Sequence, residues 1–84
     1  MIVRMCEMVS HPEALDDLVR WICDVGVPEL ESQLGHVESE VFASADHRVV
    51  VISRWRSDPR QLADPPPHFI KRPPLCWDFS PVDR

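Results

Sequence analysis

The sequence predicts an α+β domain with the element order β-α-β-β-α-β, an antiparallel sheet and its helices on one face. Three observations carry this reading. The stretch His36 to Arg56 reads as two strands, HVESEVFAS and HRVVVISRWR, folded back on each other at Ala45-Asp46. An apolar strand and an amphipathic helix precede that hairpin. A proline-broken excursion follows it and returns as a last strand.

Ile2 to Val9 (IVRMCEMV) is apolar at most positions and interrupted by Arg4 and Glu7, the pattern of a central strand covered on both sides. Ser10-His11-Pro12-Glu13 has the form of a capping box, with a proline tolerated in the first turn. Leu15, Leu18, Val19, Ile22 and Val25 then recur at the spacing of one helix face. Gly26-Val27-Pro28 is expected to bend or interrupt this helix, Leu30 and Leu34 to continue it, and Gly35 to stop it in the left-handed conformation.

The second strand, His36 to Ala43, alternates Val37, Ser39, Val41 and Ala43 against His36, Glu38, Glu40 and Phe42. The third contains Val49, Val50, Val51 and Ile52, which are apolar on both sides of the pleat. The predicted helices cover only one of those sides, so the other is expected to face a second copy of the chain, closed two-fold dimers being the commonest oligomers. Ser57-Asp58-Pro59 is expected to start a short helix through Leu62, which Pro65-Pro66-Pro67 ends. Leu75 to Ser80 (LCWDFS) reads as an edge strand. The whole is the ferredoxin-like split arrangement, in one domain spanning residues 1–84.

Composition narrows the function. A chain of 84 residues buries only about 60–65 per cent of its unfolded surface, so a partner copy would add needed stability. A net charge of -5, with its nine basic residues scattered, argues against nucleic acid. No apolar run reaches the roughly 18 residues of a membrane span, and no signal peptide opens the chain, so a cytoplasmic location is expected. Cys6, Cys23 and Cys76 are odd in number and form no C-x-x-C pair, which disfavours both structural zinc and a disulfide framework and fits a reducing compartment. Two glycines cannot build a phosphate-cradling loop, and no hydrolase or metalloprotease motif is present, so no cofactor or metal is expected.

The candidate site residues are few. His68 follows a rigid proline run, and an imidazole held there suits acid–base work; the plainer reading is a surface histidine beside a core Phe69. Arg54 lies inside an apolar strand, either to steady an enolate or phenolate or to make a structural ion pair. Trp55 and Trp77 offer flat surface for an aromatic ligand, or packing for a core or interface. Phe69 and Cys6 complete the expected ligand-binding set, and Cys6 is equally suited to being a small buried side chain.

Gly35 before strand two, Arg54-Trp55-Arg56-Ser57 at the end of strand three, and Pro67-His68-Phe69 after the short helix together resemble the antibiotic-biosynthesis monooxygenase-like superfamily. The resemblance follows the element order over nearly the whole chain and implies a dimeric α+β barrel. It also implies a small cofactor-independent tailoring enzyme of secondary metabolism, cyclising or oxygenating an aromatic or polyketide-like molecule. His68 and Arg54 would then be catalytic, with Trp55, Trp77, Phe69 and Cys6 binding substrate. The alternative is a non-catalytic small-molecule-binding or interaction protein on the same barrel, favoured by the lack of any Asn and by the clipped second helix.

Overall fold

The structure, a computed structural model, describes residues 1–84. Strands β1 (Ile2–Val9), β2 (His36–Ala43), β3 (Arg48–Trp55) and β4 (Leu75–Phe79) form one antiparallel sheet in the order β2-β3-β1-β4. The helical crossover carries the chain from β1 past one strand position to β2, and β3 turns back into the gap. The β1–β3 ladder is therefore the middle of the sheet, running from Ile2 opposite Trp55 to Val9 opposite Arg48.

Register divides the side chains between two faces, because directly opposed residues project to the same side. Met8, Cys6, Val49, Val51, Ser53 and Trp55 point toward the helix and are buried. Leu18, Ile22, Leu30 and Leu62 close over them to complete the core. Trp55 is wholly enclosed, and its indole N–H donates to Ser53 Oγ at 2.8 Å, so its one polar atom is satisfied.

The helical run departs from expectation in its middle. A 3-10 turn (Pro12–Ala14) leads into α1 (Leu15–Trp21), a π-turn spans Ile22–Gly26, and α2 (Val27–Glu31) follows without a break. Pro28 has no N–H to give an α-helical ladder, and the wider turn, in which the Val27 N–H reaches the Ile22 carbonyl, takes up the slip instead of ending the helix. It also rotates the buried stripe. Leu18, Ile22, Gly26 and Leu30 face inward at intervals of four, and Val25, expected in the stripe, is exposed. Gly26 is where α1's Trp21 ring and Leu62 converge: a Cβ there would lie 3.1 Å from the indole and 3.2 Å from Leu62.

The capping box is not formed. His11 is the residue before the first helical turn, and the Ser10 hydroxyl is buried one position earlier, donating to the His47 carbonyl at 3.4 Å while its N–H donates to the same oxygen at 2.9 Å. The hairpin turn, in which His47 adopts φ 64°, outcompetes the helix for that side chain.

The second helix is also missing. Ser57 to Pro66 carries no helix, and only a 3-10 turn, Pro67–Phe69, follows it. Pro65 restricts Asp64, leaving fewer than two turns in which to recover the cost of helix nucleation. The segment instead runs without regular structure and buries Leu62, within the core cluster, and Pro65.

α2 ends at Glu31, and Gly35 at φ +86° closes the turn that leads into β2, its carbonyl accepting the Arg56 N–H at 2.7 Å. An added Cβ would strike Ser57 Oγ as well as meeting left-handed strain. Gly35→Ala is expected to lower stability by at least about 1–2 kcal/mol, read as a fall in the urea midpoint at unchanged slope.

Candidate functional site

The face of the sheet turned away from the helix is uncovered, and the registers set its side chains in three rows across the strands. One row runs Glu38, Arg54, Val3, Phe79; the next Glu40, Ile52, Met5, Trp77; the third Phe42, Val50, Glu7, Leu75. Its centre is apolar. Phe42, Leu75, Trp77 and Phe79 are 42–51% exposed, although such side chains are costly to leave in water.

Two charged clusters flank this centre. Arg54 donates to Glu40 at 2.8 Å and Glu38 at 3.1 Å, and the hydrogen bond to Glu40 is the main reason its guanidinium is held above its ordinary pKa. Glu7 accepts from Arg72 and pairs with Arg48 at 3.4 Å, while Arg48 also lies 3.9 Å from Asp46 in the hairpin turn. Asp46 itself is held below the usual carboxylate range, chiefly by the hydroxyl of Ser44.

On the helix side, the expected site residues disperse. Trp55 is enclosed in the core, with His36 edge-on at 5.2 Å. His68 is exposed and its ring rests on Phe69, 4.4 Å away, which in turn packs on the core. Arg54 and Trp77 meet only in the sense that both belong to the open face, in adjacent rows. No hollow gathers His68, Arg54 and the two indoles within one chain. Two open depressions exist elsewhere: one of about 370 Å³ walled by Pro65, Pro67, Pro73 and Pro74 with Lys71 at its side, and one of about 510 Å³ between α1 and Ala43, bordered by Cys23. No three His, Cys, Asp or Glu side chains gather as a metal site.

The cysteines require a correction. Cys6 and Cys76 are bonded to each other across β1 and β4, on the helix side, where the register sets them directly opposite with Cα atoms 4.1 Å apart. Cysteine count and motif spacing are blind to this, because the partners are 70 residues apart in sequence and only strand order brings them together. Cys23 alone is free. One row along, Arg4 grips Asp78 through both carboxylate oxygens, at 2.6 and 2.9 Å.

What the sequence reading missed is the extent of the open face. The alternation of Leu75, Trp77 and Phe79 against Cys76 and Asp78 contained the signal, and it became legible only once β4 was known to lie beside β1.

No protein-family model matches the chain, and comparison with curated proteins found no match. Among solved structures the chain is similar to Rv0793 from Mycobacterium tuberculosis, with 18% identity, a TM-score of 0.71, and coverage of 99% of this chain and 96% of that one. The fold is ferredoxin-like. At this identity the likeness speaks for the fold alone, including an end-to-end correspondence of the two chains. No helix is long and apolar enough to cross a membrane.

The Arg4 hydrogen bonds hold the Asp78 carboxyl below its usual pKa. A lowered folded value means that the pair's stabilisation is present above the unfolded carboxyl pKa of about 3.9 and is lost as pH falls through the folded one. Because both partners are partly solvated, the contribution is at most about 1 kcal/mol. Asp78→Asn is expected to be less stable by that amount at neutral pH and equal to the wild type at about pH 2, as read by urea unfolding across the acid range.

Proposed function

We propose that this chain is a non-catalytic interaction protein that pairs with a second copy of itself through the open sheet face. One observation supports this most directly: an apolar centre spanning three rows and four strands, which nothing in the chain covers. The layout is that of an interface, with Ile52 and Met5 central, Trp77 beside them on β4, and the charges largely toward the rim. Where a charge does intrude, at Glu7, two guanidiniums satisfy it, so burial would leave no lone ion. A two-fold arrangement presents the same face to itself and needs no other partner. The resemblance to the antibiotic-biosynthesis monooxygenase-like superfamily fits such a dimer, and a cytoplasmic location belongs to the same proposal.

Tailoring of an aromatic molecule, the other function implied by that resemblance, requires His68 and Arg54 to act on one substrate. In this chain His68 sits over the helix-side core and Arg54 on the opposite face. The geometry therefore favours association over chemistry.

Sedimentation equilibrium is the deciding measurement. The wild type is expected to be a dimer at micromolar concentration, and Ile52→Lys a folded monomer, since lysine opposite Glu40 suits the strand pair while placing an unpaired charge in the interface. The dissociation constant should rise by at least about 100-fold. A wild-type monomer, or a dimer indifferent to Ile52→Lys with native circular dichroism, would overturn the proposal.

A further inference from the structure

We propose that Cys6 and Cys76 form a reversible thiol–disulfide site, opened by a dithiol reductant, that controls whether β4 stays docked and hence whether the open face can pair. The inference rests on the self-association reading above and adds its regulation.

The two cysteines differ in setting. Cys6 lies on the central strand β1 and is 3% exposed, whereas Cys76 lies on the edge strand and is open to solvent. The difference traces to the segment Ser57 to Pro66, whose Arg60 carbonyl accepts from Arg4 of β1 and whose Leu62 joins the core, while every residue of β4 stays exposed. A reductant therefore meets Cys76 Sγ. Its first thiolate attacks that sulfur, the Cys6–Cys76 bond breaks, and Cys6 leaves as a thiolate that takes up a proton. The second thiol of the reductant then displaces Cys76, closing the reductant's own disulfide. Two electrons and two protons pass to the protein.

Little else holds β4. All five of its residues are exposed, none belongs to the buried core, and Pro73-Pro74 before it can donate no backbone hydrogen bond. What remains after reduction is a short ladder with β1 and the solvated Arg4–Asp78 pair. Strands with few buried contacts open locally before the rest of a domain. Yet β4 supplies Leu75, Trp77 and Phe79, one whole side of the open face. Opening the disulfide shifts the population toward a chain whose face is incomplete, and a partner that binds only the docked state loses affinity in proportion.

The test uses the full chain with Cys23→Ser, because Cys23 is an exposed thiol able to cross-link copies. Amide exchange of β4 and the dimer dissociation constant are measured in oxidised protein and after treatment with dithiothreitol. Reduction is expected to lower β4 protection at least about tenfold while β3 holds, and to raise the dissociation constant at least about tenfold. Replacing both Cys6 and Cys76 with serine should reproduce the reduced behaviour under either condition. Unchanged β4 protection, or an unchanged dissociation constant, overturns the switch and leaves the self-association reading intact. An oxidised protein that never dimerises overturns that reading, and control of pairing with it.

Discussion

The antiparallel ladder between β1 and β3 is the contact on which the rest of the structure hangs, because both strands are apolar on both faces and the chain supplies one helical run to cover them. Met8, Cys6, Val49, Val51 and Trp55 take the covered side. Met5, Val3, Val50 and Ile52 take the other. Every outer element is placed by the need to shield the first set, and the functional question arises from the second.

Prolines shape how that shielding is done. Pro28 survives within the helical run because the π-turn at Ile22–Gly26 absorbs its missing donor, and Gly26 then lets Leu62 close in on Trp21. Pro59 and Pro65 to Pro67 have the opposite effect, leaving a segment without regular structure where a second helix is expected. Leu62 and Pro65 seal the middle of the core, but the layer ends there. The helix side of β4 is consequently bare, and the Cys6–Cys76 bond with the Arg4–Asp78 pair does the tethering that a covering helix would otherwise provide. In the loop-entropy picture a cross-link over this separation contributes about 4 kcal/mol, more than an exposed ion pair can.

The charges inside the strands follow one rule. Arg4, Glu7 and Arg54 each find a partner of opposite sign on a neighbouring element, so none is stranded. Such pairing is expected wherever ions approach an apolar surface, since desolvation without a partner is costly. It also leaves the open face able to approach a like surface without an unmatched charge at its centre.

Strand positions were legible in the sequence because their cues are local: alternation in His36–Ala43, the two-sided valine run in Arg48–Trp55, and Gly35 at its left-handed stop. The helical stripe was legible through Ile22 and again at Leu30, while the π-turn between them left Val25 exposed. Ser10, the second helix and the cysteines were misread for a common reason, which is that each depends on a competitor far along the chain. His47 takes the Ser10 hydroxyl, the core takes Leu62, and Cys76 reaches Cys6 because β4 lies beside β1. The candidate site was legible in fragments, as single residues, and the tertiary structure dispersed some and assembled others into rows. By itself the sequence determined which segments are strands and that two of them, β1 and β3, are apolar on both sides, since periodicity and apolarity act within a few residues. Only the tertiary structure decided which face stays open and which cysteines meet, since both depend on strand order, a property of the packed sheet.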